Sequence, residues 1–236
     1  MKIAAVCCTY LRPNELGQML RCFERQDYPD REMVILDDAG QYEDAHGDRW
    51  RLISASARFA SLGEKRNAAA ELVSPDVDAL AVWDDDDLYL PWALSASVAA
   101  LRRAPWSRPS LVLHPAPDGS LRQHLTGGLF HGGWAYLRSV FRQCGGYPAH
   151  NNGEDRLLAD RFARAHVAQA DPIRLRFPPF YVYRWAGLWH LSGMGPRGYQ
   201  ALGARCPERV SLVPSDPPGL DLDNPRILPG IHRRLF

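Results

Sequence analysis

Four consecutive carboxylates, Asp84-Asp85-Asp86-Asp87, directly follow the apolar run Ala79-Leu80-Ala81-Val82-Trp83 and precede Leu88-Tyr89-Leu90-Pro91. At the end of a buried strand such charges repel one another, and the repulsion is costly unless a cation offsets it. A bound divalent ion is the economical explanation. Alternate side chains of an extended chain share a face, so Asp84 and Asp86 are expected on one side and Asp85 on the other, which lets two oxygens reach one metal. Hard cations such as Mg²⁺ or Mn²⁺ suit oxygen ligands and bind through one or two carboxylates plus substrate phosphates. An isolated Asp-Asp pair would read as a solvated loop; four in a row behind an apolar strand favour the metal.

A second acidic pair, Glu154-Asp155, follows Gly153. A carboxylate within hydrogen-bond reach of a hydroxyl can take its proton, yet acids are also common in a helix's first turn because they favour the macrodipole. Of the 7 Trp, Trp134, Trp185 and Trp189 come late, and packing is the expected role for each before stacking on a ligand. His114, His124, His131 and His150 have no metal-ligand spacing and read as surface or hydrogen-bonded loop residues.

The elements that must position these groups alternate between strand and helix. An apolar run at 3–8 reads as a buried strand of a parallel sheet. Pro13 suits a first helical turn, and Leu16, Met19, Leu20 and Phe23 then form one stripe at helical period, broken by Tyr28-Pro29-Asp30. A strand over 33–36 ends in Asp37-Asp38-Ala39-Gly40, at the carboxyl edge where open α/β sheets place ligands. Further strands are read over 51–55, 79–83, 111–114, 129–136 and 180–184, with helices over 64–73, from Pro91 to about 104, and over 154–166. There is no internal repeat, and the stretch from Pro207 is proline-rich.

Size and composition bound the answer. A chain of 236 residues, 46% hydrophobic, can bury one substantial core. A formal net charge of +1 offers no strong attraction to a polyanion, so there is no strong nucleic-acid signature. The 5 Cys have no CxxC spacing and read as reduced, intracellular thiols. The N-terminus turns polar by Thr9, too soon for a signal peptide, and no stretch approaches the ~18 apolar residues of a membrane span. A soluble, cytoplasmic protein is expected.

These motifs, in this order, resemble those of glycosyltransferase family 2, the large inverting family with the GT-A fold, over most of the chain to about Gly195. Val6-Cys7-Cys8-Thr9-Tyr10-Leu11-Arg12-Pro13 looks like that family's first strand and turn, and Val34-Ile35-Leu36-Asp37-Asp38-Ala39 like its second. Ser61 to Ala68, reading Ser-Leu-Gly-Glu-Lys-Arg-Asn-Ala, is similar to the glycine, arginine and asparagine segment, and Trp83-Asp84-Asp85-Asp86-Asp87 to the DxD stretch. Gly145-Gly146-Tyr147-Pro148 with Gly153-Glu154-Asp155-Arg156 resembles the acceptor-side stretch, and Tyr183-Arg184 with Trp189-His190-Leu191-Ser192 the late segment that supplies a histidine.

The resemblance implies an α/β fold, a GT-A type Rossmann-like mixed sheet flanked by helices in one domain over 1–206. Its nucleotide-sugar-binding half would be 1–104, its acceptor-side half 105–206, and 207–236 a tail. It implies an inverting, metal-dependent transfer of a hexosyl group from a nucleoside-diphosphate sugar, a UDP-sugar first, to an acceptor hydroxyl of unknown identity. Thr9, Tyr10, Arg12, Asp38, Lys65, Arg66, Asn67, Asp84 and Asp85 would serve the donor nucleotide, with Asp38 accepting a hydrogen bond from the base. Asp86, Asp84 and His190 would hold Mn²⁺ or Mg²⁺, while Asp155 would be the general base and Glu154 its support. Rival readings are a nucleotidyltransferase, which would usually show a glycine-rich phosphate loop where Thr9-Tyr10-Leu11-Arg12-Pro13 stands, and a catalytically silent nucleotide-binding scaffold. The tail could cover the acceptor site, dock a partner, or touch a membrane peripherally through Arg233, Arg234, Leu235 and Phe236.

Overall fold

The structure, a computed structural model, describes residues 1–184 and 209–232. The first half alternates as expected: β1 (Ile3–Thr9), α1 (Pro13–Glu24), β2 (Arg31–Asp37), β3 (Ala45–Gly47), β4 (Trp50–Ser54), α2 (Leu62–Glu71) and β5 (Ala79–Asp84). The chain continues with β6 (Leu88–Tyr89), α3 (Ala93–Leu101), β7 (Trp106–Ser107), β8 (Leu111–Pro115), β9 (Leu121–Leu125) and a 3-10 turn at His131–Gly133. It then forms β10 (Ala135–Leu137), α4 (Arg138–Gln143), α5 (Glu154–Arg164), β11 (Gln169–Ala170), β12 (Tyr181–Val182) and β13 (Ile227–His232).

Eight strands form one mixed sheet in the order β11-β7-β10-β5-β1-β2-β4-β3. β1 runs parallel to both β2 and β5, while β10 is antiparallel to β5. Period-two alternation divides β1 between two cores. Ile3, Ala5 and Cys7 pack with the apolar stripe Leu16, Met19, Leu20 and Phe23 of α1, whereas Ala4 packs with Ala70 of α2, Phe141 of α4 and Phe162 of α5. With both faces covered, the central strands must be apolar throughout, which is why they read as continuous runs. A second sheet, β13-β9-β8-β12-β6, abuts the carboxyl end of the first.

Two expectations, the strand at 129–136 and the extended aspartate run, are corrected. The strand read over 129–136 begins only at Ala135, because Phe130 takes a left-handed φ of 64° and the 3-10 turn follows it. Where it is described, the stretch after Pro207 packs on the rest of the chain: Ser215 N donates to Gly17 O, Arg25 pairs with Asp216 and Asp223, and β13 joins the edge strand β9. The aspartate run does not remain extended: β5 stops at Asp84 and Asp85-Asp86 form a turn, so the expected alternation of side chains does not apply to them. Among the described residues Cys7, Cys8, Cys22 and Cys144 are free thiols, and no helix is long and apolar enough to cross a membrane. Cys206 lies outside the described residues.

Candidate active site

The aspartate turn stands on an aromatic floor. Trp83 stacks on Tyr89 at 3.9 Å between ring centroids and 10° between planes, and the Tyr89 hydroxyl accepts a 2.7 Å hydrogen bond from Asp84 N. Gly132 crosses directly above. A Cβ there would meet the Tyr181 hydroxyl at 2.8 Å and Asp84 Oδ2 at 2.9 Å, so only glycine allows this backbone so near the carboxylate.

Each aspartate has its own partners. Asp84 Oδ1 accepts from Arg66 Nη2 at 3.0 Å. Asp85 Oδ2 accepts from Thr9 Oγ1 at 2.9 Å, and Arg12 Nη1 lies 2.8 Å from both Asp85 Oδ1 and Asp86 Oδ2. Asp87 is 1% exposed and accepts from the Tyr181 hydroxyl and, at 2.8 Å, from Arg184 N. Burial pushes the Asp86 carboxyl up to about 7, with repulsion from Asp85 adding to it and Arg12 opposing it. Asp87 is raised well above the ordinary carboxylate range, first by burial and then by Asp86 and Asp84. Burial therefore disfavours full ionisation of the turn.

The second acidic pair reaches the same cavity through helix docking. Ser61 caps α2 by accepting from Glu64 N at 3.2 Å, and the first turn of α2 lies against the loop before α5. There Gly63 N donates to His150 O at 3.0 Å and Leu62 N to Asn151 Oδ1 at 2.9 Å. A Cβ on Gly63 would sit 1.8 Å from Pro148 O, so this contact also requires glycine. From α2, Arg66 extends its Nε to within 3.3 Å of Glu154 Oε1. Burial raises the Glu154 pKa and Arg66 partly opposes that rise.

The result is one cavity of about 470 Å³ lined by Thr9, Tyr10, Arg12, Lys65, Arg66, the four aspartates, Glu154 and Asp155. Two nucleotide-site candidates from the sequence are not among its lining residues. Asp38 is fully buried, its Oδ1 2.5 Å from Lys65 Nζ and 3.6 Å from Arg58 Nη1, its Oδ2 accepting from Phe59 N. Asn67 holds the Tyr147 backbone, donating to its carbonyl and accepting from its amide, both at 2.8 Å. His190 lies outside the described residues, as do Trp185 and Trp189.

Sequence reasoning missed part of the wall. His131 was expected at the surface or hydrogen-bonded in a loop; it is 6% exposed, lines the cavity, and bonds through Nε2 to the Tyr147 hydroxyl at 2.8 Å. Burial lowers its pKa to about 4, assisted by Arg66, so the ring is neutral. Tyr181 and Tyr183 also line the cavity. The glycines around Phe130, at 127, 128, 132 and 133, are a local sequence signal that this stretch turns, and the structure places Phe130 itself in the left-handed region. Trp134 is 3% exposed in the core and packs edge-on to Trp106 at 5.1 Å, as expected of a packing residue.

Comparisons with known proteins bear on the fold that positions these groups. Residues 5–107 match the family model described as glycosyl transferase family 2. Among solved structures, S. aureus TarS 1–349 in complex with UDP-GlcNAc superposes with a TM-score of 0.59 at 15% identity, covering 81% of this chain and 61% of that one. The same protein in complex with UDP gives 0.57 at 14%, covering 86% and 63%. The mannosyltransferase PcManGT from Pyrobaculum calidifontis, in complex with GDP-Man and Mn²⁺, gives 0.55 at 18%, covering 85% and 59%. The chain thus spans about 60% of the length of these structures. No curated protein sequence matches it significantly. Residues 5–107 thus match glycosyl transferase family 2, and the chain carries the GT-A fold.

Proposed function

We propose that the protein transfers a sugar from a nucleoside-diphosphate sugar, a UDP-sugar first, to an acceptor hydroxyl with inversion, using Mn²⁺ or Mg²⁺. The observation that carries this reading is the meeting of two acidic groups in one cavity: the Asp84–Asp87 turn from the first half and Glu154-Asp155 from the second. Complexes of similar folds with UDP-GlcNAc and GDP-Man support the donor class.

The residues fit a hard dication. The donors among the described residues are carboxylate oxygens, and burial, with Asp85 beside it, disfavours the charged form of Asp86 that a cation would stabilise. Among the described residues no three His, Cys, Asp or Glu side chains meet as a cage. Asp84 and Asp86 would therefore hold the ion together with the donor's diphosphate, with His190, which lies outside the described residues, as the further proposed ligand. The ion would supply Lewis-acid stabilisation of the departing diphosphate.

The chain's own groups do the rest. Arg66 adds positive charge beside Asp84, where charge develops on the leaving group. Lys65, tied to Asp38 and to Thr9 O at 2.6 Å, braces the β1 turn instead of facing the donor freely. Tyr10, with Arg58 stacked 3.6 Å from its ring centroid, offers a rigid wall for the nucleoside. Asp155, at the mouth of α5, takes the acceptor's proton as its oxygen attacks opposite the leaving diphosphate, which gives inversion in one displacement. Glu154, held by Arg66, orients the start of that helix. Incubation with a panel of UDP- and GDP-sugars plus Mn²⁺ tests the reading through release of nucleoside diphosphate. Release of pyrophosphate instead, or of neither from any donor, would contradict it.

A further inference from the structure

Arg12 occupies a notch between two of the four aspartates. Its Nη1 is 2.8 Å from Asp85 Oδ1 and 2.8 Å from Asp86 Oδ2, with the three side chains only 11%, 7% and 10% exposed. The other carboxylates have separate partners: Asp84 holds Arg66, and Asp87 holds the Tyr181 hydroxyl and Arg184 N. A free dication approaching Asp86 therefore meets a guanidinium already in place. In a poorly solvated wall that repulsion is much stronger than in water.

The two contacts of Arg12 are not equivalent. Asp85 is anchored on its other oxygen by Thr9 Oγ1 at 2.9 Å, so the Arg12–Asp85 contact is a fixed pivot. No side chain within hydrogen-bond distance of Asp86 other than Arg12 is found among the described residues. Arg12 itself lies just before Pro13, the first residue of α1, so its backbone is held at the helix start. An entering diphosphate offers it a better acceptor, since guanidinium pairs with phosphate oxygens in a forked, charge-assisted geometry.

We propose that Arg12 is a resident counter-ion that closes Asp86 to free metal and releases it when a nucleoside diphosphate enters, so that metal and diphosphate bind with positive coupling. The identity of the anion and the metal, and the coupling that arises because the diphosphate shares the ion, rest on the glycosyl-transfer reading; the Arg12 notch adds to that coupling by weakening the metal site when no diphosphate is bound. Because binding linkage is reciprocal, the diphosphate must tighten the metal by the same factor as the metal tightens the diphosphate.

The test measures Mn²⁺ affinity by electron paramagnetic resonance of free Mn²⁺, with and without saturating UDP or GDP, in the wild type, Arg12→Gln and Arg12→Lys. In the wild type the nucleotide tightens Mn²⁺ at least about tenfold, a size typical of coupled sites. Arg12→Gln binds Mn²⁺ alone at least about tenfold tighter than the wild type, with coupling reduced by a similar factor to what shared ligation by the diphosphate leaves, while Arg12→Lys keeps more of it. Melting gives a second readout: Mn²⁺ alone raises the Tm of Arg12→Gln but not that of the wild type. Uncoupled binding of Mn²⁺ and nucleotide by the wild type would overturn the counter-ion role whatever the variants do. So would Mn²⁺ affinity in folded Arg12→Gln no better than wild type. If the wild type binds neither ligand, alone or together, the glycosyl-transfer reading falls as well.

Discussion

Arg66 Nε lies 3.3 Å from Glu154 Oε1 while the Nη2 of the same guanidinium lies 3.0 Å from Asp84 Oδ1. One side chain of α2 thus ties the end of β5 to the start of α5, two elements some 70 residues apart (154 − 84). The site's two acidic groups are held in register by this bridge.

Replacing Arg66 with Gln leaves Glu154, 5% exposed, without its cation. Removing one partner of a buried ion pair costs roughly 3–5 kcal/mol. The expected outcome is a clear loss of stability in chemical denaturation, partly recovered in the double variant with Glu154→Gln, where the deeply buried carboxylate is gone and only the half-buried Asp84 lacks the Arg66 cation. No recovery in the double variant would mean that the bridge is not what holds α5.

Asp86 and Asp155 are assigned different tasks, and their variants should separate. Asp86→Ala is expected to abolish metal-dependent nucleotide binding in a thermal-shift titration. Asp155→Asn should leave that binding intact while lowering turnover by about 10² or more, the typical contribution of a positioned base. Full activity in either variant contradicts its assigned role.

The pH dependence of stability carries two opposed signatures. His131 has a folded pKa near 4 against about 6.5 in an unfolded chain, so between those values the unfolded state binds a proton that the native state refuses. Stability from this group is complete above about pH 6.5 and is lost as pH falls towards 4. Asp86 works the other way: its folded pKa of about 7 lies above the unfolded value, so it destabilises the fold as pH rises towards 7. Comparing stability against pH for the wild type and His131→Gln isolates the first effect as a difference curve falling on the acid side. A flat difference between pH 4 and 6.5 would show that the imidazole titrates normally.

The aromatic floor should be structural as well as local. Trp83 is 2% exposed, stacks on Tyr89 and meets Phe23 edge-on at 6.0 Å. Trp83→Ala should cost roughly 3–5 kcal/mol in denaturant unfolding, the usual range for emptying a large aromatic site. Because Tyr89 receives the Asp84 amide, a variant that still folds should also bind nucleotide more weakly.

Local chemistry by itself determined a good deal. The apolar runs of β1, β2 and β5, the stripe of α1 and the carboxylates at the end of β5 are set by covalent order and period, so the parallel nucleotide-type half was legible from residues alone. What the sequence could not contain is how groups far apart in the chain neutralise one another. Asp38 looked like a ligand group, and only folding brought Lys65 and Arg58 onto it. His131 looked like a loop residue until Tyr147 and the surrounding core buried it. Asp84 and Asp86 were expected to share a face by strand alternation, but the chain turns after Asp84, and Arg12 came to bridge Asp85 and Asp86. A pattern of side chains along a strand follows from backbone geometry over a few residues. The partner of a buried charge depends on desolvation and long-range packing, which only the assembled structure decides.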